Sequence, residues 1–191
     1  MRTLHTILIG TVMVAAAACE RSSDQAPSSS ATSQGTPPEA GLVSMTAVTS
    51  CAGFTPAKAA EILGITAAEV ADNSRDQGAL RFCAYGSRTD PSKTVSFTLG
   101  RRESVAAATA SLKRERDALA EAQGAIGRVT QSPSSQAASE NVQGIGDEAF
   151  YSAMNGAIML RVGNGLAQVM SPADMALKKR VAEEVARGLR P

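Results

Sequence analysis

Few residues of this 191-residue chain belong to types that carry out chemistry. The chain has three cysteines, Cys19, Cys51 and Cys83, and a single histidine, His5. His5 lies in an apolar N-terminal segment, so the rest of the chain has no imidazole to serve as a general base, a triad member or a metal ligand. We therefore expect no catalytic residue, no metal site and no cofactor.

One short motif could still be taken for a ligand-binding loop. Residues 144–147, with the sequence Gly-Ile-Gly-Asp, have the glycine spacing of a phosphate or metal loop. A dinucleotide fingerprint needs a preceding strand, a third glycine and a following helix, whereas a strand is predicted to follow here. Adjacent Asp147 and Glu148 point to opposite faces of a strand, which makes them a poor pair for acid–base catalysis. The motif favours a structural turn.

Cys19 follows a segment with the layout of an export signal. The segment starts with a positive charge at Arg2, continues with apolar residues 4–15 and ends in three alanines, after which the chain becomes polar. A transmembrane helix needs roughly 20 apolar residues, more than this stretch contains. The arrangement resembles a bacterial lipoprotein signal with its lipobox, which implies removal of residues 1–18 and lipidation of Cys19. An ordinary secretory signal that ends near a cysteine is the alternative.

Cys51 and Cys83 remain as a pair once Cys19 is assigned to the lipid. Export places both in an oxidising compartment, so we expect a disulfide between them. By restricting the unfolded chain, such a bond contributes roughly 3 to 4 kcal/mol to stability. Two free buried thiols and a redox-active pair stay open as alternatives, although the spacing is unlike C-x-x-C.

Composition divides the chain into three parts. Residues 20–44 are rich in Ser, Thr, Gln, Ala and Pro and cannot bury enough apolar surface to become ordered. We expect a signal peptide over residues 1–18, a lipidated cysteine with a disordered tether over 19–44, and a single domain over 45–191.

Charge and composition also narrow the class of partner. The chain has 19 Lys plus Arg against 18 Asp plus Glu, and this balance predicts no nucleic-acid partner. Basic residues at 113–116 and 178–180 are interleaved with acids or lie on polar helix faces, which favours solvated surfaces.

With no tryptophan and 3% aromatic residues, the core must consist mainly of Ala, Val, Leu and Ile. Four methionines are expected to fill gaps in that core: Met154, Met159, Met170 and Met175.

Hydrophobic periodicity predicts the order helix, two strands, long helix, three strands, helix. The predicted segments are a short helix after Thr55 that ends at Gly64, strands at 80–85 and 94–99, a helix at 103–123 that ends at Gly124, a surface loop at 132–136, strands at 148–153, 157–162 and 166–170, and a helix at 172–189. Phe82 and Phe97 are candidates for the buried face of the first hairpin. Hairpin links without βαβ alternation predict an α+β fold. We expect a mainly antiparallel sheet of about five strands, with two longer helices and one short helix packed on one face.

Several of these residues also suggest a family. Cys51 before a short helix, residues 82–85 (Phe-Cys-Ala-Tyr), residues 144–151 and residues 160–164 form a pattern similar to small envelope lipoprotein domains of unknown function in actinobacteria. Those domains are similar in turn to the extracellular sensor domain of a mycobacterial Ser/Thr kinase. The resemblance covers about residues 50–190. It implies a paired cysteine near the front of the domain and a binding or sensing role without enzymatic chemistry.

Together these features predict a lipid-anchored, non-catalytic binding or sensing module of the cell envelope. We expect it on the extracytoplasmic side, at the periplasmic face of the outer membrane in a Gram-negative cell. Its expected partners are the membrane, through the lipid, and an unidentified envelope protein or small ligand, bound by a sheet face or by the loops at 132–147 and 153–165. Two alternatives stay open: a histidine-free hydrolase that uses carboxylates or a Ser/Lys pair, and a structural envelope component that acts through assembly.

Overall fold

The computed structural model describes residues 41–130, 139–171 and 174–191. The predicted signal peptide, Cys19, most of the predicted tether and the predicted loop at 132–136 lie outside the described residues. The residues that are described belong to one compact unit. Within them, no helix combines the length and the apolar character needed to cross a membrane.

The described residues form eight strands in one antiparallel sheet. The strands are β1 (Val70–Asp72), β2 (Arg75–Gln77), β3 (Leu80–Ser87), β4 (Thr94–Arg101), β5 (Ser139–Asn141), β6 (Glu148–Ser152), β7 (Ala157–Val162) and β8 (Gly165–Val169). Their order is β1-β3-β4-β8-β7-β6-β5, and β2 also pairs with β3. The predicted α+β class and antiparallel sheet are confirmed, while the predicted count of about five strands is too low.

The three strands that the sequence does not predict lie at the margins of the sheet. β1 and β2 both pair with β3, and β5 pairs with β6. Each is only three residues long, and β2 is exposed throughout. Such short polar segments show no alternation of apolar and polar residues, so they are formed by pairing with a neighbour rather than by their own hydrophobic pattern.

Four α-helices occur in the described part of the chain: α1 (Met45–Thr49), α2 (Pro56–Leu63), α3 (Val105–Thr130) and α4 (Met175–Leu189). As predicted, Thr55 caps α2, since its hydroxyl accepts a hydrogen bond from the Lys58 backbone N–H at 3.2 Å. The short α1 is not predicted by the sequence. α4 begins three residues later than predicted, because Asp174 is its N-cap and accepts from the Leu177 N–H at 2.9 Å.

The predicted end of α3 at Gly124 is wrong, because the helix continues to Thr130. Gly124 and Gly127 both lie inside the helix, and each costs about 1 kcal/mol relative to alanine, which the rest of a long helix can tolerate. The residues from 125 to 130 include no proline that would stop it. At 26 residues, α3 is the longest element in the described ranges.

One face of the sheet, here called the core face, is covered by α1, α2 and α4. α4 packs against β7 and β8, α2 against β1, β3 and β4, and α1 against β3 and β4. The apolar residues buried between them include Val95, Phe97, Leu99, Ile158, Leu160, Val181, Val185 and Leu189. This layer contains most of the domain's buried apolar surface.

α3 packs on the opposite face of the sheet, so the expectation that all helices lie on one face is wrong. Side chains alternate between the two faces of a strand, and Phe150 of β6 therefore points away from the core-face residues Ala149 and Tyr151. Phe150 is fully buried, with the Arg116 guanidinium of α3 centred 4.6 Å from its ring. We call this second face the α3 face.

The two phenylalanines of the first hairpin lie on different faces. Phe97 pairs with Cys83, whereas Phe82 pairs with Thr98, so the register places Phe97 on the core face and Phe82 on the α3 face. Phe97 is fully buried, while Phe82 is half-buried and packs against the Arg75 guanidinium, 4.6 Å from the ring centre. Only one of the two predicted core aromatics therefore belongs to the main core.

Residues 41–43, which precede residue 45, are held against the turn after β7. Val43 is buried, and its backbone N–H donates to the Asn164 Oδ1 at 2.7 Å. The Asn164 N–H in turn donates to the Gly41 carbonyl at 3.2 Å. A Cβ at Gly163 would lie 1.6 Å from that same carbonyl oxygen, so only glycine permits this approach.

Candidate binding groove

A groove lies between α3 and the uncovered part of the α3 face. α3 packs mainly across β7, β8 and β5 and leaves the neighbouring strands β4 and β3 open on this side. The groove has a volume of about 240 Å³. Pockets for drug-sized ligands usually exceed about 300 Å³, so this groove suits a small or slender ligand.

The floor and the α3 wall of the groove are largely apolar. Leu166 and Met159 lie on the floor, Leu112 on α3, and Leu80 at the margin. Leu80 is 40% exposed. A Cβ at Gly100 would lie 2.6 Å from the Leu80 Cδ2, so this glycine lets Leu80 lie close over the sheet. The groove thus presents aliphatic surface to solvent.

Polar groups surround this apolar surface. Thr98 and Gln168 lie on the floor, while Ser111 and Glu115 follow each other at a spacing of four residues along the α3 wall. That spacing puts both on one face of the helix, one turn apart. A few polar groups around apolar walls are the usual composition of a small-molecule site.

Two arginines meet at one end of the groove. The Arg102 Nε and the Arg114 Nη2 both donate to the Ser111 Oγ, each at 3.1 Å. The Arg102 backbone is fixed on both sides by Asn164, since its N–H donates to the Asn164 carbonyl at 2.9 Å and its own carbonyl accepts from the Asn164 Nδ2 at 2.5 Å. Within the described residues neither guanidinium forms an ion pair.

The 144–147 motif forms a structural turn and lies apart from the groove. The Asp147 Oδ2 accepts from the Gly163 N–H at 2.7 Å and from the Arg161 Nη1 at 3.0 Å. A Cβ at Gly146, which has φ 62°, would lie 2.5 Å from the Arg161 carbonyl oxygen. The carboxylate and the glycine therefore hold the β7–β8 turn in place.

Asp147 and Glu148 bind different basic residues. Asp147 pairs with Arg161, while the Glu148 Oε1 lies 3.5 Å from the Arg116 Nη2 under α3. As the alternation of strand residues predicts, the two carboxylates do not converge. Among the described residues, no group of three or more His, Cys, Asp or Glu side chains is placed to hold a metal ion.

Cys51 and Cys83 form the predicted disulfide. Both residues are buried, and the bond joins the 3₁₀ turn Cys51–Gly53 to β3. A hydrogen bond of 2.7 Å from the Tyr85 hydroxyl to the Phe54 carbonyl makes a second link between the same two segments. Burial raises the pKa of the Tyr85 phenol above its ordinary value of 10.0.

Other predicted candidates lie in different places. The loop region at 153–165 contains Asn164, which is buried and bonded within the domain. Residues 132–138 of the 132–147 region lie outside the described ranges. Of the four methionines, Met159 lines the groove, Met175 packs against the core and Met154 is 42% exposed. Met154 is therefore not the core filler that its residue type suggests.

The basic residues at 113–116 have different partners: two form ion pairs with carboxylates and one donates to a hydroxyl. Lys113 pairs with Asp117 at 2.5 Å and Arg116 pairs with Glu148 at 3.5 Å, while Arg114 donates to Ser111. The sequence does not single out Arg102, because nine residues separate it from Ser111 and the intervening turn decides whether they meet. The spacing of Ser111 and Arg114, three residues apart on a predicted helix, is the one signal that was present.

The sequence and the fold were also compared with known proteins. Comparisons with protein-family models, with curated proteins and with solved structures give no match.

Proposed function

We propose that this chain is a lipid-anchored, non-catalytic binding or sensing module of the cell envelope, and that the groove beside α3 is its ligand site. Its anchor would be a lipid on Cys19, and its place the extracytoplasmic side of a membrane. In a Gram-negative cell that membrane is the outer one, with the domain in the periplasm. The ligand is a small molecule or a slender part of an envelope partner.

One observation carries this proposal: α3 covers only part of the α3 face. A single helix is about 10 Å wide and covers about two strands, so the strands beside it stay open. Beside α3, Leu80, Met159 and Leu166 border a groove that reaches solvent. Exposed apolar surface ringed by polar groups is typical of binding sites.

The disulfide and the Asn164 contacts support the same proposal, because they hold the elements around the groove in fixed positions. A site is most precise when it is built on rigid elements. The groove floor belongs to central strands β4, β8 and β7, and the backbone of Arg102 at its end is held by the buried Asn164. Such a domain can present a preformed site at the end of a tether.

The proposal can be tested with an uncharged photoreactive probe, a diazirine-labelled long-chain alcohol. Membranes isolated from cells that produce the full chain are irradiated with the probe, and labelled peptides are identified by mass spectrometry. We expect labelling of peptides that contain Leu80, Leu112 and Leu166, with competition by excess unlabelled alcohol. A thioether lipid on Cys19 is read from the same digest.

Thr98→Phe places a ring on the groove floor and should reduce this labelling at least about fivefold by filling the site. Thr109→Phe, on an exposed position of α3 outside the groove lining, is the matched control and should label like the natural chain. Labelling spread evenly over the domain surface, with no effect of Thr98→Phe, would contradict the proposed site.

A further inference from the structure

Two arginines meet at the Ser111 hydroxyl on the groove wall, and within the described residues no carboxylate lies within ion-pair distance of either. Arg102 and Arg114 donate to the same hydroxyl oxygen, so the two donating nitrogens are each 3.1 Å from one point. Two guanidinium groups held this close repel each other. Ser111 accepts from both but carries no charge, and it therefore cannot neutralise them.

Two other cations of α3 are paired: Lys113 lies 2.5 Å from Asp117, and Arg116 lies 3.5 Å from Glu148. For Arg102 and Arg114 the described residues supply no carboxylate within ion-pair distance. An anion with two or more oxygens fits such an arrangement, because guanidinium groups bind carboxylate and phosphate oxygens in charge-assisted hydrogen bonds.

The apolar groove adjoins the two arginines, since Arg102 and Ser111 are among its lining residues and Arg114 contacts Ser111. An occupant that satisfies both regions has an anionic head and a hydrocarbon tail. The groove of about 240 Å³ limits the tail to one slender chain. A polypeptide segment in this groove would place backbone amides against the apolar floor, where they would have no hydrogen-bond partners. Burial of unpaired amides is unfavourable in free energy.

We propose that the ligand of this groove is a single-chain anionic amphiphile, with its charged head on Arg102 and Arg114 and its tail along Leu112, Met159 and Leu166. This inference rests on the proposed function and specifies its ligand class. A long-chain fatty acid is the simplest such molecule, and its carboxylate oxygens accept hydrogen bonds from the two guanidinium groups.

Glu115 sets the direction of the ligand. It lies one turn further along the α3 wall than Ser111, and the described residues give its carboxylate no ion pair. A negative head at that position would be repelled, so the head occupies the arginine end. Removal of this charge by Glu115→Gln should increase binding of the acid, because the unfavourable interaction is lost.

The test compares two photoreactive probes with the same chain length, one ending in a carboxylate and one in an alcohol. Both are applied to membranes that contain the full chain, and labelling of the groove peptides is quantified. We expect Arg102→Gln and Arg114→Gln each to lower labelling by the acid about tenfold. Labelling by the alcohol should stay within about twofold of the natural chain, since the apolar groove is unchanged.

Arg128→Gln serves as the matched control, because Arg128 is an exposed arginine in the last turn of α3. It should leave labelling by both probes unchanged. Higher salt should reduce labelling by the acid but not by the alcohol, because exposed charges are screened. Excess dodecanoate should compete, whereas acetate at the same concentration should not.

The outcomes separate this inference from the proposed function. Equal labelling by both probes, insensitive to the two arginine substitutions, would overturn the anionic head while keeping the groove as a binding site. Competition by acetate as strong as that by dodecanoate would overturn the amphiphile and leave a simple anion site. Failure of both probes to label the groove peptides would overturn both proposals.

Discussion

Asn164 joins three parts of the domain through one buried side chain. Its Oδ1 accepts from the Val43 N–H at 2.7 Å, and its Nδ2 donates to the Arg102 carbonyl at 2.5 Å. The residue is 2% exposed, so water does not replace these bonds. A buried polar side chain that satisfies backbone groups inside the domain contributes more to stability than a polar side chain on the surface.

Asn164→Ala should therefore lower the free energy of unfolding by roughly 2 to 5 kcal/mol, because one buried and one partly buried backbone group lose their partners. Denaturant unfolding of the full chain measures this change. Asn155→Ala is the control, since Asn155 is exposed and bonds only its own turn, through the Ala157 N–H at 3.1 Å. Equal losses in the two variants would show that the Asn164 contacts do not hold the N-terminal segment.

Tyr85 gives the domain a characteristic response to alkali. Because burial raises the pKa of this phenol above 10.0, the folded state favours its neutral form. The stability that this provides is complete below the unfolded pKa and is lost as pH rises through the folded pKa. Tyr85→Phe should flatten the decline of the unfolding midpoint above about pH 10, relative to a Tyr151→Phe control. Parallel declines in both variants would contradict this assignment.

At the level of elements, the position of α3 determines which part of the α3 face stays open to solvent. The helix buries Phe150 and covers β7 and β8, yet stops short of Leu80 on β3. The other three helices lie on the core face and cannot close the groove. The same placement gives the sheet a buried layer on each side, which a chain with few aromatic residues needs for stability.

The disulfide fixes the 3₁₀ turn Cys51–Gly53 to strand β3 of the sheet. Replacement of both cysteines by alanine, Cys51→Ala with Cys83→Ala, should lower the free energy of unfolding by about 2 to 4 kcal/mol, because the unfolded chain regains freedom. Thermal and denaturant unfolding measure the change, with Cys19→Ser as the cysteine control. A loss below about 0.5 kcal/mol would mean that the Tyr85 hydrogen bond and core packing suffice.

The sequence predicts those elements whose own pattern is strong. Strands β3, β4, β6, β7 and β8 alternate or are flanked by tight turns, and α2 has clear caps, so these elements were identified. β1, β2 and β5 exist only through pairing with a neighbour. The face on which α3 packs depends on the register of Phe150, and the sequence does not contain that information directly.

The groove illustrates the same limit for sites. Its residues come from β3, β4, β7, β8 and α3, and they are adjacent only after the sheet order is known. The motif at 144–147 stands out along the chain yet serves the fold, while Arg102 does not stand out and lies at the groove. Disulfide pairing was predictable because only two cysteines remained after Cys19.

For the whole molecule, we propose a domain with one disulfide at the end of a tether, with the groove beside α3 open to solvent. If Cys19 carries the proposed lipid, the domain would be held near a bilayer, where amphiphiles are present at high local concentration. The proposed anchor and the proposed ligand class are thus consistent with the same role.

The most direct test of this account is the intact mass of the chain recovered from the cell's membrane fraction, measured with thiol alkylation but without reductant. We expect a polypeptide that begins at Cys19, carries the added mass of acyl chains, and leaves Cys51 and Cys83 unalkylated because they form the disulfide. A chain that retains residues 1–18, has no lipid and takes up alkylating reagent on all three cysteines would contradict it.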